Sequence, residues 1–68
     1  MSSGKDERLT SVLALAQEVL EDEQNARAWI REPNRALRGE RPFDLLDSEA
    51  GAEQVTRVLK QLEYGVYS

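Results

Sequence analysis

The chain has 68 residues with a net charge of -4, and it contains neither cysteine nor histidine. One small domain is the most that this length can form, and without cysteine it has neither a disulfide scaffold nor a thiolate metal site. The acidic balance disfavours a dedicated nucleic-acid-binding protein, and the lack of a long apolar run or signal-peptide pattern predicts a cytoplasmic protein without a membrane span.

The first predicted element is an amphipathic helix over residues 6–22, preceded by a polar start, residues 1–5, that we expect to be disordered. Its apolar positions follow helical spacing and fill an arc of roughly 160°. They are Leu9, Val12, Leu13, Leu15, Ala16, Val19 and Leu20. A stripe of this width predicts two packing neighbours, one of which could be a second chain. The acidic residues 21–23 predict that the helix ends there, since the helix dipole disfavours them.

Short helical segments are predicted in the middle of the chain. A second helix over residues 23–31 ends because Pro33 disfavours helical backbone at Glu32. Asn34 is a suitable N-cap for a segment over residues 35–38, and Gly39 can close it in a left-handed conformation. Pro42 is a suitable first residue for a further short helix.

Rare aromatic residues also lie in this middle region. We interpret Trp29 as a core residue, with a partner contact as the alternative. After Pro42, the side chains of Phe43, Leu45 and Leu46 are expected to point inward.

The last predicted helix covers residues 48–64 and is capped by Asp47 or Ser48. A narrow apolar stripe faces inward. It consists of Gly51, Ala52, Val55, Val58, Leu59 and Leu62. Gly51 indicates either close approach of another backbone or a tolerated glycine in the first turn. Gly65 fits a left-handed C-terminal cap, which leaves residues 66–68 as a tail.

These elements predict an all-α fold, a small compact helical domain over residues 6–65. Its two longer helices, about 6–22 and 48–64, are joined by short helical segments. The alternating β-branched runs typical of strands are missing.

The residue types argue against an enzyme. Without histidine or cysteine the chain lacks the commonest general base and a common nucleophile, and its four glycines are too scattered for a phosphate loop. We predict no catalytic residue, cofactor or metal. Arginines at positions 27, 31, 35, 38 and 41 are interpreted as surface ion-pair partners, with an acidic protein or a nucleic acid as alternative partners.

Helical geometry places Tyr64 opposite Val55, on the same face as Arg57 and Lys60. Tyrosine is enriched among interface hot spots, and Tyr67 follows in the tail. The C-terminus is therefore a candidate contact for a protein partner, with an ordinary frayed terminus as the alternative.

Several short motifs together resemble the toxin-binding domain of the Xre/MbcA/ParS antitoxin family. The resemblance extends from about Leu9 to the C-terminus. The motifs are Ala28-Trp29-Ile30, Pro33-Asn34, Leu37, Gly39, Pro42-Phe43-Asp44-Leu45-Leu46, Gly51, Val55, Leu59 and Tyr64-Gly65.

The resemblance implies a bacterial type II antitoxin that neutralises a RES-domain toxin, an enzyme that consumes NAD or uses it for ADP-ribosyl transfer. It implies that the C-terminal segment occludes the toxin's active-site cleft, while the toxin holds the catalytic residues. The expected toxin-binding residues are Tyr64, Gly65, Val66, Tyr67 and Ser68, together with Arg57 and Lys60 from the helical geometry.

Two other functions stay open from the sequence. A homo-oligomerising helical module would use the wide stripe of the first helix for self-association. A transcriptional regulator fragment is the other alternative, although antitoxins of this type usually carry a helix-turn-helix domain before this module and we expect none in these residues. Nucleic-acid binding by this chain alone is therefore not expected.

Overall fold

A computed structural model describes residues 4–65, and it places five helical elements and no β-strand in that range. The elements are α1 (Gly4–Leu20), α2 (Glu23–Arg31), a 3₁₀ helix (Arg35–Leu37), α3 (Pro42–Leu45) and α4 (Glu49–Tyr64). The predicted all-α fold with two longer helices is confirmed. The radius of gyration is 11.3 Å, close to the roughly 11 Å expected of a compact chain of this length.

The core lies where α1 crosses both α2 and α4. Besides the buried Pro42 of α3, its buried apolar residues come from α1, α2, the 3₁₀ helix, α4 and the position that follows α3. They are Val12, Ala16, Ala26, Ile30, Leu37, Leu46, Val55 and Leu59. The wide apolar stripe of α1 therefore has the two neighbours that its width predicted, and both belong to the same chain. Trp29 is half-buried and packs against this core, as expected.

Helix α1 begins at Gly4 and ends at Leu20, two residues before each predicted boundary. Gly4 and Lys5, which the sequence assigned to a disordered start, are helical, whereas residues 1–3 lie outside the described part of the chain. The helix ends because Glu21 adopts a left-handed conformation, φ 56°. Asp22 then caps α2 by accepting hydrogen bonds from the backbone N–H groups of Gln24 and Asn25 at 2.8 and 3.2 Å.

The turn between α2 and α3 differs in one detail from its prediction. Asn34 caps the 3₁₀ helix as expected, since its side chain accepts from the N–H of Ala36 at 2.9 Å. The helical segment ends one residue early, at Leu37, because Arg38 is already left-handed with φ 60°. Gly39 follows with φ 80°, so two consecutive residues have positive φ where one glycine was predicted.

Pro42 opens α3, as the sequence indicated, and is also buried. Leu46 just after α3 is fully buried and Leu45 is half-buried, as expected. Phe43 is the exception, because its side chain is 38% exposed and was expected to point inward. The ammonium group of Lys5 lies 4.2 Å from the centroid of its ring. Residues at the start of α1 thus cover part of an aromatic side chain that the core does not enclose.

Helix α4 is held at both ends. Ser48 is its N-cap and accepts a hydrogen bond from the N–H of Gly51 at 3.0 Å, and Gly65 ends it in a left-handed conformation, φ 62°. Val55 and Leu59 are fully buried between these ends. Gly51 in the first turn is also buried, and it packs against the backbone of Leu45. Of the two interpretations of this glycine, close approach of another backbone is therefore confirmed.

Arg8 links α1 to the start of α4. Its Nε donates to the carbonyl oxygen of Leu46 at 2.7 Å, and its Nη2 donates to that of Asp47 at 3.0 Å. Lys5 adds an ion pair with the Asp47 carboxylate at 2.7 Å. These contacts fix the backbone just before Ser48 and thereby the direction in which α4 leaves the core.

Residues 4–65 contain neither a membrane-spanning helix nor a metal-binding cluster. None of the helices there has both the length and the apolar character needed to cross a bilayer. In the same range, His, Cys, Asp and Glu side chains form no group of three or more arranged to hold a metal ion. Every buried side-chain nitrogen or oxygen atom in this range has a hydrogen-bond partner.

Candidate functional site

The side of α4 that faces away from the core forms a continuous surface, which we call the α4 outer face. It borders a shallow groove that runs to the C-terminal end of the helix. Its residues are Glu53, Thr56, Arg57, Lys60, Gln61 and Tyr64, and the half-buried Ala52, which packs against the core as predicted, lies at its border. Because Val55 and Leu59 hold the opposite side of the helix in the core, this surface is presented on a rigid element.

Tyr64 is the most prominent residue of this surface. Its side chain is 72% exposed, and among the described residues only Phe43 is also a large hydrophobic side chain classed as exposed. Arg57 and Lys60 lie about two turns and one turn before it on the same side of the helix. The predicted outward placement of Tyr64 beside these two cations is therefore what the structure shows.

The helix ends directly after Tyr64. The N–H of Gly65 donates to the carbonyl oxygens of Gln61 and Leu62, and the left-handed backbone of Gly65 ends the helix. Of the predicted toxin-binding residues, the structure brings Tyr64, Gly65, Arg57 and Lys60 together at this end of the molecule. The other three, Val66, Tyr67 and Ser68, lie outside the described residues.

Arg57 and Lys60 are available for contacts with another molecule. Within residues 4–65 the ion pairs join Lys5 with Asp47, Arg27 with Glu23, and Arg41 with Asp44, so neither cation of α4 is included. The chain as a whole is acidic. Two cations without an ion-pair partner in this range therefore lie beside an exposed tyrosine, and Glu53 lies on the same face.

The series of five arginines between α2 and α3 does not form one site. Arg27 and Arg41 make surface ion pairs with Glu23 and Asp44 at 2.9 and 3.0 Å, as their residue types predicted. Over the described range, the arginines at positions 31, 35 and 38 have no ion-pair partner. Arg31 and Arg41 line one surface depression, whereas Arg38 lines a different one, so the five arginines do not share a single groove.

Sequence reasoning missed part of the α4 outer face. Thr56 and Gln61 were not singled out, although both line the groove with Tyr64. The signal was present in the helical period, since positions three, four, seven and eight residues before Tyr64 fall on one side of a helix. In the sequence, polar residues at those positions look like ordinary solvent-facing residues. Only the groove in the structure distinguishes Thr56 and Gln61 from other exposed polar residues.

The chain is similar to known antitoxin proteins. Residues 15–65 match the family described as the antitoxin Xre/MbcA/ParS C-terminal toxin-binding domain. A curated relative, the Prs ADP-ribosylating antitoxin of Sphingobium sp. (strain YBL2), is 42% identical over 41 residues, which are 60% of this chain. The matched stretch is 26% of that relative, so the similarity concerns about a quarter of the relative's length.

Proposed function

Because this chain belongs to the family of Xre/MbcA/ParS antitoxin C-terminal toxin-binding domains, we propose that it neutralises a RES-domain, NAD-consuming toxin by occluding the toxin's active-site cleft. Family membership implies a protein toxin as the partner. The occluding segment consists of Tyr64, Gly65, Val66, Tyr67 and Ser68. The observation that carries this proposal is the 72% exposure of Tyr64 at the end of a helix whose other side is buried.

The physical argument begins with the exposure of Tyr64. A large aromatic side chain in water gains free energy when a partner covers it, and tyrosine has few rotatable bonds to immobilise. Because α4 is fixed by Leu59 and Val55 in the core, little further ordering is needed at Tyr64 when it binds. Tyr64 is therefore suited to be the first contact that directs the following residues into a cleft.

Arg57 and Lys60 would act at the rim of the same contact. Opposite charges across an interface speed association and fix the orientation of the partners more than they raise affinity. We infer that the toxin carries carboxylates beside its cleft, opposite these two cations. Such pairing would bring the C-terminus of α4 to the cleft entrance in one orientation.

This mechanism is steric, and it assigns no chemical step to the antitoxin chain. The residues that bind NAD and break its glycosidic bond would belong to the toxin, so the chain needs no cofactor of its own. The complex would form in the bacterial cytoplasm, where the toxin finds NAD. Inhibition would then be competitive with NAD, because both occupants use one cleft.

Co-expression with a RES-domain toxin encoded beside this chain tests the proposal. A chain without residues 64–68 is expected to bind the toxin weakly and to leave the cells unprotected. That deletion also removes Gly65, the C-cap of α4. The double substitution of Tyr64→Ala and Tyr67→Ala therefore serves as a second variant, which removes both aromatic side chains and keeps the helix cap. If both variants fold, by circular dichroism, and protect cells as well as the unchanged chain, occlusion by this segment is wrong.

A further inference from the structure

A second groove lies between the 3₁₀ helix and α4, and we propose that it binds an acidic peptide segment containing one apolar side chain. We call it the lateral groove. It is separate from the α4 outer face except for Arg57 and Gln61, which border both. This proposal rests on the proposed function only for the identity of the protein that carries the peptide, which would be the same toxin.

The lateral groove has both polar and apolar lining, and its apolar part comes mainly from three side chains. Leu37 is buried, and Leu45 and Val58 are half-buried, so each leaves some apolar surface accessible from the groove. The groove holds about 550 Å³, which falls within the roughly 300–1,000 Å³ typical of ligand sites. A leucine- or phenylalanine-sized side chain fits a depression of this kind, and its burial supplies the non-polar part of the binding free energy.

The rim of the lateral groove is cationic. Arg38 and Arg57 border it from opposite elements, and Glu40 is the one carboxylate among its lining residues in the described range. Two positive charges and one negative charge give the groove a net charge of +1, whereas the whole chain has -4. Since neither arginine has an ion-pair partner within residues 4–65, both guanidinium groups are free to bind carboxylates.

The backbone of Arg38 adds an independent observation. It has φ 60°, a left-handed conformation that costs a residue with a Cβ roughly 1–2 kcal/mol. Gly39, the next residue, also has positive φ, so glycine already supplies freedom at this turn. Arg38 is the C-cap of the 3₁₀ helix, and its side chain lines the lateral groove.

A peptide fits these features better than a nucleic acid does. Nucleic-acid binding depends on many cation–phosphate contacts, and two arginines in an acidic chain do not supply them. The apolar part of the lining matches a side chain, and Gln54 and Gln61 in the same lining offer amides that suit the peptide backbone. Because Arg57 borders both grooves, one partner protein can engage the α4 outer face and the lateral groove simultaneously.

Nuclear magnetic resonance of the full ¹⁵N-labelled chain tests the lateral groove directly. The probe is the capped hexapeptide Asp-Glu-Leu-Phe-Asp-Glu, titrated at low ionic strength. We expect amide shift changes centred on Leu37, Arg38, Gln54 and Val58, and no comparable changes with the same peptide carrying Lys in place of each acid. Shift changes centred elsewhere, or equal binding of both peptides, would overturn the proposal.

The variant that isolates the groove is Arg38→Asn, since asparagine tolerates the left-handed backbone while it removes the charge. It is expected to weaken peptide binding about tenfold, which corresponds to about 1.4 kcal/mol. The matched control is Arg35→Asn, three residues earlier, exposed and outside the groove lining. If both variants lost peptide affinity equally, the loss would come from the change in net charge, and the proposed binding in the lateral groove would be wrong.

Two further measurements distinguish peptide binding in the lateral groove from cleft occlusion and from nucleic-acid binding. The Tyr64→Ala variant is expected to bind the peptide with unchanged affinity, so failure of cleft occlusion and failure of the lateral groove give different results. A single-stranded oligothymidine is expected not to displace the peptide. Displacement at similar or lower concentration would identify the groove as a phosphate-binding surface and overturn the assignment to a peptide.

Discussion

Gly51 packs directly against the backbone of Leu45. A Cβ atom at Gly51 would overlap the carbonyl oxygen of Leu45 and lie 2.8 Å from its carbonyl carbon. Backbone cannot move aside as the end of a flexible side chain can, so the absence of a side chain is what allows α4 to begin this close to α3. The contact sets the angle at which α4, and with it Tyr64, leaves the core.

The substitution Gly51→Ala is therefore expected to destabilise the fold, although alanine is the better helix former. Overpacking in a closed site costs about 1–3 kcal/mol, more than the gain in helix propensity of up to about 1 kcal/mol. Urea unfolding would measure the difference. The neighbouring exposed change Ala50→Gly should lower stability by no more than about 1 kcal/mol. An increase in stability for Gly51→Ala would show that the two backbones do not constrain each other.

Replacing Arg8 should show how strongly α1 holds the start of α4. Arg8→Ala leaves the carbonyl of the fully buried Leu46 without its charged donor, which should cost about 1.5–3 kcal/mol of unfolding free energy. Lys5→Ala removes an ion pair whose carboxylate partner is largely exposed, and should cost less than about 1 kcal/mol. Chemical denaturation of the two variants gives the comparison, and equal losses would contradict a special role for Arg8.

Glu21 offers a test of backbone strain. Because it is left-handed at φ 56°, the substitution Glu21→Gly should leave stability unchanged or raise it, by up to about 1 kcal/mol. Glu18→Gly, at an exposed position within α1, should lower it by about 1 kcal/mol. Thermal unfolding of both variants would reveal the opposite signs. A loss of similar size in both would mean that the left-handed turn stores no strain.

Leu59 and Tyr64 lie on opposite sides of α4 and should separate folding from binding. Leu59→Ala creates a cavity at a fully buried position, and a loss of about 2–5 kcal/mol is expected. Tyr64→Ala removes a mostly exposed ring and should change stability by less than about 0.5 kcal/mol. Denaturation curves with toxin-binding measurements would check both. A strongly destabilised Tyr64→Ala variant would show that the ring belongs to the fold.

Much of the fold could be predicted because its signals are local. The 3.6-residue apolar period placed α1, α2 and α4, and Pro33 and Asn34 marked the turn through the restrictions that they impose on their own backbone. Ser48 and Gly65 were recognisable as caps for the same reason, since capping involves residues only a few positions apart. The outward position of Tyr64 followed from its angle relative to Val55.

Other features depend on residues that are distant in sequence. Arg8 reaches the backbone at Leu46, 38 residues away, and Lys5 covers Phe43, so neither contact has a sequence pattern. This explains why the start of α1 was predicted to be disordered and Phe43 to be buried. Arg38 is left-handed in addition to Gly39, where only the glycine was predicted to be, because closing the turn at Asn34 and Glu40 constrains the backbone between them.

The sequence by itself determined the helical segments, their caps, the apolar stripes and the family resemblance, because each depends on residue types at short spacing. Only the tertiary structure decided how the stripes meet, and therefore which surfaces stay exposed. The close approach of Gly51 to Leu45 and the Arg8 contacts orient α4. That orientation presents Tyr64 at the end of the molecule and opens the lateral groove beside Arg38. The orientation of α4 and the surfaces that it leaves exposed depend on packing between residues distant in sequence, so they cannot be predicted from short-range periodicity.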